Sequence, residues 1–247
     1  MLDWRFQGHP AIVAHRGYAG RYPENTLLSL SAAVAFGAHF LEFDVQLTRD
    51  GVPIVCHDDT LLRCGGSALR VLDHDWRDLR DAGVGEPSRF GDSFCGVKLS
   101  SLNEVARHLQ MWPPTTSFVE IKQHSVAQFG AAETVARVLE ALRELERPFV
   151  VLSFVDDVVT EAKKQGAALT GWVVTDYDDG GRRRLEALAA DYVYCNQDKI
   201  TRAQALWPGP WHWVLYEVTR LEDALRWQHA GAAMIETMHP PRVIARG

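Results

Sequence analysis

The chain has 247 residues, 47% of them hydrophobic, with 26 basic against 32 acidic side chains and a net charge of −6. That length supports one sizeable core, and a single domain over 1–247 is expected. The mildly acidic balance gives no electrostatic basis for a nucleic-acid or anionic-membrane partner.

In chain order, the opening MLDWRFQGHP has no basic region leading into an apolar run, so it does not read as a signal peptide. AIVAHRG (11–17) reads as a buried strand, and NTLLSLSAAVAFG (25–37) as a helix stopped by Gly37. HFLEFDVQL (39–47) is a second strand. SFVEIKQ (117–123) is a third, followed by a helix across roughly 127–146. PFVVLSF (148–154) and the helical DDVVTEAKKQG (156–166) come next. ALTGWVV, DYVYCNQ, WHWVLYEV and AAMIETM complete eight strands, and LEDALRWQHAG (221–231) is a helix ending at Gly231. Strands buried on both faces and alternating with helices imply a parallel sheet. Eight such units in this length point to an α/β chain folded as a (β/α)8 (TIM) barrel. No G-x-G-x-x-G or G-x-x-x-x-G-K-[ST] follows a strand, which counts against nucleotide-binding folds. Residues 58–116, after the second strand, show no clear βα unit and read as an inserted segment of loops. The chain ends soon after the last strand, so the eighth helix is expected to be short or missing. The four cysteines, Cys56, Cys64, Cys95 and Cys195, form no C-x-x-C pair and read as free thiols of a reducing compartment. No stretch approaches the roughly 20 apolar residues of a membrane span. A cytoplasmic enzyme-like chain without stable membrane insertion is expected, and nothing fixes its oligomeric state.

The polar residues gather where strands end, which in such a barrel is the reactive face. The first strand ends in His15-Arg16-Gly17, the second carries Glu42 and Asp44, the third Glu120 and Lys122, and the fourth ends in Ser153. Glu42 and Asp44 are two apart, so they leave one face of a strand about 6–7 Å apart. Like charges that close repel unless a cation or protons lie between them. With Glu120 they form an oxygen-rich set suited to Mg2+ or Ca2+ rather than Zn2+. Asp50-Gly51 signals a tight turn. A turn centred on that pair would place Asp44 opposite His57 and deliver an imidazole beside the acids. Arg16 and Lys122 suit an anionic phosphate, and two imidazoles beside a metal-bound phosphodiester can act as general base and acid.

Each piece also has a structural reading. His15 could be satisfied by backbone. Glu42 and Asp44 could pair with Arg49 or Arg63, and Lys122 with Glu120 alone. His57-Asp58 could be exposed turn residues, and Trp172, Trp211 and Trp213 read as core or rim aromatics. Agreement among four separate strand ends favours the functional reading.

The ordered set HRGYAGRYPENT (15–26), EFDVQLTRDGVPIVCHDD (42–59) and VEIK (119–122), with VLSF (151–154) beyond it, resembles the glycerophosphodiester phosphodiesterase family. The resemblance implies a TIM barrel that hydrolyses small-molecule glycerophosphodiesters to glycerol 3-phosphate and an alcohol. It implies His15 and His57 as the acid–base pair, and Arg16 and Lys122 as phosphate ligands. Asn25 would be a supporting polar contact, and Glu42, Asp44 and Glu120 would hold a divalent cation, Mg2+ or Ca2+. Attack by a substrate hydroxyl, giving a cyclic phosphate, and direct attack by water both remain open. Where the family often has Trp-Thr-Val-Asn, this chain has Tyr216-Glu217-Val218-Thr219. Where a Thr-Asp pair usually precedes a Pro, it has Ile235-Glu236-Thr237-Met238-His239-Pro240. Both departures lie at strand ends that shape a pocket. Glu217 would either meet a head group or pair with Arg220. The alternatives are a lysophospholipase D-like phosphodiesterase and a non-catalytic phosphate-binding barrel. A histidinol-phosphatase-like barrel would need His-x-His at the first strand.

Overall fold

The computed structural model describes residues 10–201 and 205–243. Residues 1–9, which hold most of the MLDWRFQGHP opening, lie outside the described residues. Nine strands form one sheet: β1 (Ala11–Ala14), β2 (Phe40–Leu47), β3 (Pro53–Val55), β4 (Thr116–Ile121), β5 (Phe149–Ser153), β6 (Thr170–Val174), β7 (Tyr192–Asn196), β8 (His212–Tyr216) and β9 (Met234–Thr237). Eight are parallel, and β1 pairs with both β2 and β9, which closes the barrel. The ninth, β3, returns antiparallel on β2. Helices Leu27–Ala35, Leu102–Met111, Ala131–Ala141, Asp156–Lys164, Asp179–Leu188 and Leu221–His229 lie along the chain between strands.

Strand parity explains where the charges go. On β2, Leu41, Phe43 and Val45 face outward into the core shared with the helices, while Phe40 packs inside the barrel with Val13, Phe118, Tyr194, Val214 and Met234. Side chains alternate along a strand, so Glu42, Asp44 and Gln46 share the parity of Phe40. Glu120 and Lys122 likewise follow Phe118 on β4, His15 follows Val13, and Glu236 follows Met234. The barrel is therefore apolar at its lower end and charged at the C-terminal ends of its strands. Trp172, Trp211 and Trp213 are buried in the outer core, as expected of core aromatics.

Three expectations need correction. First, the 127–146 helix is two, Gln123–Phe129 and Ala131–Ala141, broken at Gly130 with φ 79°. Second, the region read as having no βα unit contains the helix Leu102–Met111, whose Leu102, Val105 and Leu109 pack on the barrel. Its start is fixed by a capping box in which Ser101 and Glu104 satisfy each other's backbone N–H groups. The irregular part before it carries short helices over a small core of Leu61, Cys64, Val71, Leu79 and Leu99 that also takes in Ile54 of the hairpin. Third, β2 and β3 pair as Val45↔Val55 and Leu47↔Pro53, one residue out of the expected register. The loop is Arg49-Asp50-Gly51, with Gly51 left-handed at φ 76°, rather than a two-residue turn. Cys56, not His57, lies opposite Asp44, and its N–H donates to the Asp44 carbonyl at 3.0 Å. After β9, Pro240–Val243 forms one short helical turn.

Candidate active site

The loop after β1 is built to bring its polar groups inward. Gly17 has φ 77°, and a Cβ there would stand 2.5 Å from the backbone carbon of Ser29 in the first helix. Only glycine lets the loop pass so close. Arg16 and Asn25 also sit left-handed, at φ 53° and 55°, a strain of roughly 1–3 kcal/mol each. It is held by bonds on every side. The Arg16 N–H donates to Glu42 Oε2 at 3.0 Å, the Asn25 N–H to the Arg16 carbonyl at 3.2 Å, and Ser29 Oγ to the same carbonyl at 2.9 Å. Asn25 then grips Asp44 twice: its Nδ2 donates to Oδ2 at 2.8 Å, and its Oδ1 accepts from the Asp44 N–H at 3.0 Å.

Glu42, Asp44 and Glu120 each offer an oxygen within 4.8 Å of the others, all three being buried. Asp44 and Glu120 are register partners on β2 and β4. Asp44 lies 3.2 Å from Arg16 Nε on one side and 3.2 Å from Lys122 Nζ on the other. Lys122 also donates to Glu120 at 2.6 Å, so its structural pairing with Glu120 is real but shared. Arg49 and Arg63 do not neutralise these acids: Arg49 pairs with Asp75, and Arg63 with Glu24 and Asp58.

His15 is buried, with Nε2 3.8 Å from Glu42 Oε2 and 3.9 Å from Glu236 Oε2. His57 is partly exposed and places Nδ1 2.6 Å from Asp58 Oδ1. The 56–58 corner is held from below by Gln46, whose Nε2 donates to the carbonyls of Cys56, His57 and Asp58 at 3.0, 3.0 and 2.5 Å. His57, Glu120, Lys122, His124 and Phe154 line a cavity of about 360 Å³. A larger groove of about 890 Å³ lies among Arg107, Met111, Arg137 and Glu144, away from these groups.

Burial and charge set the protonation states. Burial, then Arg16, lowers His15 to about 3, and burial is also the largest cause lowering His57. Burial alone would raise Asp44, but Lys122 and Arg16 outweigh it and hold the carboxyl well below its ordinary value. Burial and then Asp44 push Glu120 up to about 7, and burial with neighbouring carboxylates raises Glu42 and Glu236 well above 4.5. Glu42 Oε1 and Glu236 Oε1 are buried without a hydrogen-bond partner among the described residues. An orphaned carboxylate oxygen beside two further carboxylates is the donor set of a hard divalent cation.

A pH series tests this electrostatic picture. His15 and His57 titrate below 6.5, so the unfolded chain binds more protons there and stability rises with pH up to about that value. Glu42, Glu120 and Glu236 do the reverse, because the folded chain holds protons above 4.5 that the unfolded chain has lost. Above pH 6.5 only the carboxylates remain unbalanced. The stability of chelator-treated protein is therefore expected to fall between pH 6.5 and about 8, by up to about 1.4 kcal/mol per pH unit per proton, and its melting temperature with it. Excess divalent cation, which competes with those protons, should remove the fall. A flat or rising chelator profile would count against a cation-binding acid cluster.

Four groups at this barrel end were not picked out as site residues from the sequence. Glu24, inside PENT, accepts from Arg16 Nη1 at 2.9 Å. Gln46 continues the inward parity of Glu42 and Asp44, a signal that could have found it. Arg63 comes from the inserted segment. Glu236 stands at one of the family departures. The other departure, Glu217, is exposed with φ 62°, and Arg220 pairs with Glu222 instead, so no buried Glu217–Arg220 pair forms.

The family model described as the glycerophosphoryl diester phosphodiesterase family matches residues 15–146. The chain belongs to this family. It is 31% identical over 162 residues to a glycerophosphodiester phosphodiesterase of Caldanaerobacter subterraneus subsp. tengcongensis, covering 64% of this chain and 63% of that protein. To human glycerophosphodiester phosphodiesterase 1 it is 29% identical over 195 residues, covering 76% and 57%. It thus spans less than two thirds of the length of these relatives. Among solved structures it is similar to an Oleispira antarctica phosphodiesterase in complex with the product sn-glycerol-3-phosphate, with TM-score 0.82, 23% identity and 95% of each chain covered. It is also similar to a Parabacteroides distasonis glycerophosphodiester phosphodiesterase, with TM-score 0.78, 18% identity and 96% of each chain covered. At those identities the structural likeness speaks for the shared fold, a closed barrel in a family of phosphodiesterases.

Proposed function

We propose that this chain hydrolyses glycerophosphodiesters to glycerol 3-phosphate and an alcohol, using a divalent cation, Mg2+ or Ca2+, held by Glu42, Asp44 and Glu120. The observation that carries the proposal is the buried three-carboxylate cluster with two partly buried basic side chains, Arg16 and Lys122, against it. Family membership and the product named for the Oleispira antarctica protein support the substrate class. When bound, the cation would neutralise charge on phosphorus-bound oxygens.

The chain's own groups do the rest. Arg16 and Lys122 bind the phosphate oxygens, Arg16 through its planar guanidinium and Lys122 as a point charge. Asn25 acts indirectly, by fixing the Asp44 carboxylate. His15, lowered to about 3, is neutral at pH 7 and accepts the proton of the attacking hydroxyl. His57 gives a proton to the departing alkoxide from its protonated form, which burial disfavours and the Asp58 carboxylate on Nδ1 supports. The balance is one proton taken from the attacking oxygen and one returned to the leaving oxygen. No helix among the described residues is long and apolar enough to cross a membrane, and four free cysteines suit a reducing, cytoplasmic setting.

The test is product analysis on a panel of glycerophosphodiesters, with glycerophosphocholine compared against its lysolipid, under chelator and after add-back of Mg2+ or Ca2+. Release of glycerol 3-phosphate that chelator stops and one cation restores is expected. Binding of the panel without turnover under either cation would favour a phosphate-binding barrel, and turnover of the lysolipid alone a lysophospholipase D-like enzyme.

A further inference from the structure

One guanidinium joins the two halves of the site. Arg63 lies on the short helix Leu62–Gly65 of the inserted segment. Its Nε and Nη2 donate to Asp58 Oδ2 and Oδ1 at 2.7 and 3.1 Å, and its Nη1 and Nη2 donate to Glu24 Oε2 and Oε1 at 2.8 and 2.7 Å. Both carboxylates continue the chain. Asp58 Oδ1 lies 2.6 Å from His57 Nδ1, and Glu24 Oε1 accepts from Arg16 Nη1 at 2.9 Å. Arg16 in turn stands 3.2 Å from Asp44. The path His57–Asp58–Arg63–Glu24–Arg16–Asp44 crosses from the hairpin corner to the loop after β1.

We propose that Arg63 is a positioning residue that holds His57 and Arg16 in one fixed relation, through Asp58 and Glu24 respectively. The proposal rests on the phosphodiesterase reading above and adds to it a residue from the inserted segment.

Two features separate this from a surface anchor for the insertion. The Arg63 side chain is 41% exposed, and an isolated exposed ion pair contributes little. Arg63 instead grips two carboxylates, each in two-point geometry, and Glu24 is buried and further fixed by its N–H donating to Glu86 Oε2 at 2.9 Å. In addition, each carboxylate ends on a group that meets substrate in the proposed reaction. A lysine could reach one carboxylate as a point charge but could not fork across both. The arms differ in consequence. Loosening Asp58 lets the His57 ring rotate, which lowers kcat. Loosening Glu24 lets Arg16 move from the phosphate position, which raises KM.

The test uses the full chain, cation-loaded, with Arg63→Gln, Arg63→Lys, Asp58→Asn, Glu24→Gln and the double variant Asp58→Asn/Arg63→Gln. A misplacement of about 1 Å costs on the order of 10²-fold in rate, so Arg63→Gln should lose about that much in kcat, and Arg63→Lys should recover only part. Asp58→Asn should act mainly on kcat and Glu24→Gln mainly on KM. The double variant should be no slower than the slower single one, because both break the same arm. A purely structural Arg63 would lower the melting temperature yet leave kcat and KM of the folded fraction unchanged. An activity-independent readout is the His57 Nδ1–H proton in NMR, expected to be slow-exchanging in the wild type and exchange-broadened in Arg63→Gln. Absence of wild-type turnover would sink the phosphodiesterase reading, while the NMR comparison would still decide the positioning role. Should Arg63→Gln not fold, Arg63→Lys carries the test. Wild-type kcat and KM in either folded Arg63 variant, or an unchanged His57 resonance in both, would overturn the proposal.

Discussion

Replacing His57 with alanine should lower kcat by about 10²- to 10⁴-fold, the usual contribution of one positioned general acid or base, while barely moving the melting temperature. The two halves of that expectation come from different bonds. The ring itself makes one strong contact, with Asp58 at 2.6 Å, and its side chain is 32% exposed. Its removal leaves no buried cavity. Asp58 loses the ring but keeps Arg63, which still donates to both of its oxygens. The corner itself is held through backbone carbonyls by Gln46, so truncating the side chain does not release the turn. The measurement is steady-state turnover of a glycerophosphodiester at saturating cation, alongside thermal unfolding. His15→Ala should be as slow but less stable, since His15 is buried where His57 is not. A His57→Ala protein with wild-type turnover would remove the two-imidazole mechanism.

Much of this architecture is legible from one sequence because the barrel strands are short apolar runs that tolerate no polar residue without a reason. Glu42 and Asp44 interrupt β2 at alternate positions, and strand parity alone sends both inward. Local turn chemistry is less decisive. Asp50-Gly51 fits a two-residue turn, yet Thr48 draws the chain into a three-residue loop by donating to Asp50 and accepting from the Val52 N–H at 3.0 Å. That one residue changes the partner of Asp44 from His57 to Cys56, while His57 still reaches the cavity because it lies beyond the last paired residue. The helix Leu102–Met111 carried its own signature in Ser101-x-x-Glu104, hidden by the irregular segment before it. The bond from Arg63 to Glu24 had no local signal: it reaches across 39 positions, and nothing in the spacing of an exposed arginine names a partner so distant. Glu236 looks like a departure at a strand end until β1 pairs with β9 and sets it opposite Val13, two positions below His15 on the same face.

Asp44→Asn should abolish turnover and destabilise the fold, and the near-isosteric change makes both effects electrostatic. Asp44 Oδ1 faces Lys122 Nζ, and Oδ2 faces Arg16 Nε and the donating Nδ2 of Asn25. An asparagine must turn its NH2 toward one of these sides, so a donor meets either an ammonium or a guanidinium and an amide. Asn25 cannot rotate to help, because its Oδ1 is taken by the backbone N–H of residue 44. Removing one member of a buried charge set costs about 3–5 kcal/mol. Arg16 keeps Glu24 and Lys122 keeps Glu120, which puts the expectation near 3 kcal/mol at the low end. The cation, left with two carboxylates, would lose several kcal/mol of its charge stabilisation, about 10³-fold or more in rate. Glu120→Gln supplies the contrast. With its carboxyl at about 7, Glu120 is already partly protonated in cation-free protein at neutral pH, so the amide should cost that form little stability while impairing cation binding. Unfolding of both variants with chelator and with cation, read beside cation titrations of turnover, separates the two roles. An Asp44→Asn protein that bound cation and turned over like the wild type would show that the reacting phosphate is held somewhere other than this carboxylate cluster.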